Sequence, residues 1–263
     1  MIRATILGCG SSGGVPRIDG DWGVCDPKNP KNYRLRCSLL LERLSEEGVT
    51  RVVIDTSPDF RQQMISARVD RLDAVVYSHD HADQTHGIDD LRAFVYRARK
   101  RMPVHMDQAT ADSLMGRFGY CFESASDGYP AILDGQVTLT PSNPLDIDGP
   151  GGRIRLTPLL QDHGTMPSLG FRIGDLGYCN DCVDLPEETL NALSGVSTFI
   201  VDALRYQPHP THAHLERALS WIDRLKPSRA YLTNLHIDMD YDTLLSELPS
   251  GVFPAYDGLA LEI

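Results

Sequence analysis

"YSHDHADQTHGIDDL", residues 77–91, carries three histidines and four aspartates in fifteen positions, directly after the apolar run "AVV" at 74–76. A short β-branched run of that kind reads as a buried strand. The cluster therefore lies at a strand's carboxyl end, where open α/β folds place their chemistry. In extended chain, residues i and i+2 point the same way, so His79 and His81 can grip one ion. Asp83 falls at the next turn, near a helix start, where it can face a second ion. Imidazole suits zinc and similar metals, and carboxylate suits harder ions such as manganese. A single histidine here would read as part of a solvated turn. The spacing His-x-His-x-Asp between an apolar strand and a helix reads as a metal site.

More ligands must come from elsewhere. His163 follows the strand-like "RIRLTPLLQD", Asp181 follows "LGYCN", and Asn234 and His236 follow "RAYLT". Polar residues thus recur at the ends of apolar strands, where they can converge on one edge of the sheets.

The wider pattern supports an α/β chain. Strands are expected at "IRATIL", "SLLLE", "VVIDT", "AVVYS", "MPVHM", "RIRLTPL", "LGFRIG", "LGYCN", "STFIVD" and "RAYLTNL". Helices are expected at "PDFRQQMISARV", with Pro58 in its first turn, from Thr85 to Arg99, and at "QATADSLMGRFG", "LPEETLNALSG", "HAHLERALSWIDRL" and "YDTLLSEL". The segment from Asp127 to Gly152 is turn-rich and reads as a surface excursion. Several strands are apolar at consecutive positions, as when both faces of a sheet are covered. No linker divides the chain, so one domain over residues 1–263 is expected.

Composition narrows the function. The 263 residues carry a formal charge of −11, which argues against a sequence-independent grip on nucleic acid. No stretch approaches the ~18 apolar residues that span a bilayer, and "MIRATILGCG" lacks a signal-peptide core. A soluble, cytoplasmic protein is expected. The six cysteines show no disulfide framework.

The order of motifs resembles the metallo-β-lactamase fold superfamily. The branch it resembles holds the cyclic-phosphate phosphodiesterase of the phosphonate pathway, the tRNA 3′-processing ribonuclease and the PQQ-biosynthesis B protein. "GCGSSGGVP", "IDTSPDFRQQ", "SHDHADQTHG", "DHG", "YCNDCVDLP" and "LTNLH" match family blocks in family order and span nearly the whole chain. The resemblance implies a four-layer αββα sandwich and two divalent metal ions, zinc or manganese. It implies that His79, His81 and His163 hold the first ion, that Asp181 bridges, and that Asp83 holds the second. The family's next histidine would stand at position 84, where this chain has Gln84; its last ligand histidine aligns with Asn234. Both departures fall on the second ion. Either that site is rebuilt, with His86 or His236 and the amide oxygens of Gln84 or Asn234, or the second ion is weakly held or absent.

Further expectations come from the same resemblance. His212, in "HPTHAHLERAL", aligns with a catalytic histidine that precedes a helix; His212 and Asp83 are the expected catalytic residues. Arg205 is a candidate phosphate contact, with a surface ion pair equally open. Cys179-x-x-Cys182 lacks the second pair a zinc ribbon needs, and with only Cys25 and Cys37 near the N-terminus no structural zinc site is expected. "GCGSSGGVP" lacks the Lys-Ser/Thr of a P-loop and reads as a tight turn under the site. The expected activity is metal-dependent hydrolysis of a small nucleotide or sugar (cyclic) phosphate, without membrane or nucleic-acid partners. A thioester or lactone hydrolase, or a non-hydrolytic PQQ-biosynthesis-like redox cofactor protein, stands as the alternative.

Overall fold

The computed structural model describes residues 1–124, 128 and 130–263. Along the chain run β1 (Ile2–Gly8), β2 (Ser38–Ser45), β3 (Gly48–Ile54), α1 (Phe60–Ser66), β4 (Ala74–Val76), α2 (Ala82–Thr85), α3 (Arg92–Ala98), β5 (Met102–Met106) and α4 (Gln108–Phe122). There follow β6 (Leu133–Val137), β7 (Leu145–Ile147), β8 (Ile154–Asp162), β9 (Pro167–Ile173), β10 (Leu176–Cys179) and α5 (Glu187–Ala192). The chain closes with β11 (Thr198–Asp202), α6 (Leu215–Leu225), β12 (Arg229–Thr233), α7 (Tyr241–Glu247), β13 (Val252–Pro254) and β14 (Leu259–Glu262).

The strands form two mixed seven-stranded sheets. Their orders are β14-β1-β2-β3-β4-β5-β6 and β13-β12-β11-β10-β9-β8-β7. Alternation along each strand explains why the runs are apolar throughout. Leu39 and Leu41 of β2 join a core with Ile154, Phe171, Ile173 and Ile200 of the opposite sheet. Leu40, between them, points outward and packs with Phe60, Val95 and Leu114 from α1, α3 and α4. On the other side, Phe199 and Val201 pack outward against Leu190, Trp221 and Leu244 from α5, α6 and α7. Helix, sheet, sheet and helix are thus layered in the expected αββα sandwich. All six cysteines are free and buried. Among the described residues no helix is long and apolar enough to cross a membrane.

Two readings need correction. The helix expected over 85–99 is broken into α2, a 3₁₀ turn at Ile88–Leu91, and α3. Gly87 is the reason: its N–H bonds Thr56 O at 2.9 Å, and a Cβ there would stand 2.3 Å from Ser57 O. The chain is pinned to the 56–57 loop and cannot wind through. The segment 127–152 is more than an excursion. Asp127 and Tyr129 lie outside the described residues, but β6 extends the first sheet beside β5 and β7 extends the second beside β8. Edge strands are half-solvated, so "LDGQV" carries no apolar run to announce it.

Candidate metal centre

The cluster gathers at one edge, in the seam between the sheets. His79 and His81 leave the carboxyl end of β4, His163 follows β8, Asp181 follows β10 and Asn234 follows β12. Asp181 and Asn234 sit at φ 54° and 62°. This is the left-handed turn that Asp and Asn tolerate better than most residues, and it ends each strand sharply.

His79 and His163 are each held by the far nitrogen. Asp55, buried at the end of β3, accepts from Ser78 N at 2.8 Å and from Ser78 Oγ at 2.7 Å. Ser78 Oγ has given its proton away, so it accepts from His79 Nδ1 at 3.0 Å. His79 Nε2 is then a bare lone pair, buried and without a partner among the described residues. His163 Nδ1 likewise donates to Thr211 O at 2.7 Å, and its Nε2 lies 3.1 Å from His81 Nδ1. Burial, and then the neighbouring histidines, hold His79 and His163 below the usual imidazole range. Both shifts favour the neutral ring that a metal ligand needs. Gly164 completes this corner: at φ 81° a Cβ would stand 2.7 Å from Thr211 Cγ2. Only glycine lets the loop carrying His212 approach.

Ligand atoms of His79, His81 and His163 lie within 4.8 Å of one another, as do those of His163, Asp181 and His212. Asp181 is buried, and burial, then the Asp83 carboxylate, push its carboxyl well up. The donor set fits a divalent cation. An orphaned buried imidazole nitrogen and crowded buried carboxylates are costly without one.

The departures from the family pattern are also visible. Gln84 Nε2 donates to Asp83 Oδ2 at 3.3 Å, and Gln84 Oε1 is buried with no partner among the described residues. Asn234 Nδ2 donates to Asp181 Oδ1 at 3.2 Å and to Asp202 Oδ1 at 3.3 Å. His236 lies outside both groups: its Nδ1 meets Asp238 and its Nε2 meets Arg17. His86 is turned away onto Phe118, with ring centroids 5.7 Å apart.

His212 faces the cluster from the 205–214 loop, its ring 4.8 Å from that of His163. Its Nδ1 donates to Asp202 Oδ2 at 2.9 Å. Burial alone would lower it, but Asp202, then Asp181 and Asp83, raise it to about 9. Beyond it opens a cavity of about 320 Å³ lined by Ser11, Gly13, Arg17, Arg205, His209 and His236, among others. Arg205 spends Nε on Gln207 O and Nη2 on Pro208 O, bracing the loop while lining this cavity. Asp202, Ser78 and Thr211 were not picked as site residues from sequence. A serine just before His-x-His and an aspartate closing an apolar strand were the available signals.

Two facing sheets with imidazoles and carboxylates at their seam define an αββα protein with a candidate metal centre. The chain belongs to the β-lactamase superfamily, whose domain model matches residues 50–237. A diphosphatase of the PhnP family is similar at 30% identity and TM-score 0.86, covering 100% of this chain and 98% of that one. Zinc-bound PqqB from Methylobacterium extorquens shares the fold at 17% identity and TM-score 0.75, over 99% and 100% of the two chains. An octanoyltransferase of Porphyromonas gingivalis is 32% identical over 261 residues, 98% of this chain. The chain spans about half, 51%, of that relative's length.

Proposed function

We infer that this protein is a metal-dependent phosphodiesterase acting on a small nucleotide or sugar phosphate, cyclic esters included. One observation carries the reading: the bare Nε2 of His79 and the rings of His81 and His163 converge beside a cavity walled by His212, His209 and Arg205. The similarity to a diphosphatase supports phosphorus as the reacting centre. His79, His81 and His163 would hold one divalent ion, zinc or manganese. Asp181 and Asp83 would serve a second, with the unpartnered Gln84 Oε1 as an added oxygen donor. Ions bound there would supply charge against the phosphoryl oxygens and a water of lowered pKa, from ~15.7 toward ~7.

The chain's own residues do the rest. Asp202 fixes His212 through Nδ1, which leaves Nε2 to give its proton to the departing oxygen. Arg205, anchored by two carbonyls, orients a non-bridging phosphoryl oxygen. Thr211 and Ser78 keep the ligand imidazoles in one tautomer. Such pre-set geometry removes reorganisation from the reaction.

Acyl-thioester hydrolysis is a second reading, favoured by the octanoyltransferase relative. A panel on metal-loaded protein separates the two: bis-p-nitrophenyl phosphate, a cyclic nucleotide, an acyl thioester and a lactone. Turnover of the diesters supports the first reading; turnover of the thioester alone would overturn it.

A further inference from the structure

We propose that a cleft at the opposite end of the sandwich from the metal cluster binds a polyphosphate chain, free or carried on a nucleoside. It is built from Arg43, Arg153, Arg155 and Arg172, with the Thr157 hydroxyl beside them. The proposal is independent of the phosphodiesterase reading.

The fold brings these residues together from both sheets. Ile2 of β1 and Arg43 of β2 are register partners in one sheet, and Thr157 of β8 and Arg172 of β9 are register partners in the other. Directly opposed residues share a face, with Cβ atoms ~5 Å apart. Arg155 lies two residues before Thr157 on β8 and so points the same way, while Arg153 directly precedes the strand. The cleft they line holds about 460 Å³, and among the described residues no carboxylate lines it. His163 follows the far end of β8, ~26 Å from Arg155 at ~3.3 Å per residue. A ligand held here is out of reach of the metal cluster.

Each guanidinium is anchored and keeps a terminal nitrogen to spare. Arg155 bonds Asp146 through Nε at 2.6 Å and Nη2 at 2.7 Å, leaving Nη1. Arg153 bonds Asp148 through Nε at 3.0 Å and Asp146 through Nη1 at 3.2 Å, leaving Nη2. Arg172 donates Nε to Gly174 O and Nη1 to the carbonyls of Ala192 and Ser194. Arg43 donates Nη1 to Arg153 O. Each of these two leaves Nη2. Arg43 and Arg172 meet no carboxylate among the described residues, so their charges stand uncancelled, while Asp146 and Asp148 offset the other two. Positive charge is thus left over at one cleft of a chain whose net charge is −11. Guanidinium forks match phosphate oxygens, and forks already held in place lose little freedom on binding. Four free nitrogens around one cleft suit several linked phosphates better than a single one.

Calorimetry on the metal-loaded chain tests this, with tripolyphosphate and ATP as probes. Excess magnesium keeps the probes from stripping the bound metal. Tripolyphosphate should bind with a Kd below about 100 μM, and Arg43→Gln combined with Arg172→Gln should weaken it at least about tenfold. His79→Ala, which damages the metal cluster, should leave that Kd within about twofold, since distant sites act independently. Arg43→Gln alone replaces the double variant, and His163→Ala replaces His79→Ala, if either melts early. Tighter binding of ATP assigns the site to a nucleoside-borne chain; equal or weaker binding assigns it to the phosphate chain alone. Absence of binding, binding that survives the arginine changes, or binding lost with His79→Ala overturns the site.

Discussion

Asn234 donates its side-chain amide to Asp181, 3.2 Å from Nδ2 to Oδ1, at the position where the related motif carries an imidazole. A donor there occupies a carboxylate lone pair that a cation would otherwise share. Asn234→His replaces the donor by a ring nitrogen able to ligate. A second equivalent of zinc should then bind at least about tenfold more tightly in competition with a chelator. Unchanged stoichiometry and affinity would mean that Asn234 does not limit the second site.

Ser78 touches no ion yet sets the ring of His79. Removing its hydroxyl by Ser78→Ala leaves His79 Nδ1 and Asp55 without their shared partner. Metal affinity should fall about 10–100-fold, read by chelator competition, with the fold retained in circular dichroism.

His212→Ala should lower diester turnover by ~10²–10⁴ while metal content, measured by elemental analysis, stays as in the parent. If metal is lost instead, His212 acts as a ligand beside His163 and Asp181 and not as the proton donor.

Asp240 caps α7 through Thr243 N at 3.0 Å and also accepts from Asp26 N and Asn32 Nδ2. Burial would raise its carboxyl, but the Thr243 and Asp26 N–H groups and the Asn32 amide hold it at about 2. The folded value is depressed, so the stabilisation is present above the unfolded value near ~3.9 and fades as pH falls toward about 2. Asp240→Ala should cost about 1 kcal/mol at neutral pH and progressively less in acid, by urea unfolding at pH 7, 4 and 2.5.

Phe199, on β11, is fully buried beneath the outer helices. Phe199→Ala should cost about 3–5 kcal/mol through lost transfer energy and the cavity left behind, seen as a lower urea midpoint. A loss below 1 kcal/mol would mean that the outer layer collapses around the gap.

Much of this was legible in the chain. The triple leucine of β2 and the runs at 74–76 and 198–201 announce strands covered on both faces, because each alternate residue finds its own apolar layer. His79 and His81 were legible as candidates from their tight spacing at a strand end, and His163 from its strand-end place together with the family resemblance. The interruption at Gly87 was not, since it depends on a loop thirty residues away. Nor was β14, whose pairing with β1 joins Leu261 to Ala4, a contact with no local sequence signal.

By itself the residue pattern determined an α/β chain with strands covered on both faces and the residue types able to ligate, because periodicity and residue chemistry are local properties; the four-layer arrangement was implied by the family resemblance. Tertiary structure alone decided which lone pairs are free. Ser78 and Asp55 bare the nitrogen of His79, Asn234 covers an oxygen of Asp181, and Arg17 claims His236. Hydrogen-bond direction depends on neighbours that only the folded chain brings within 3 Å or so.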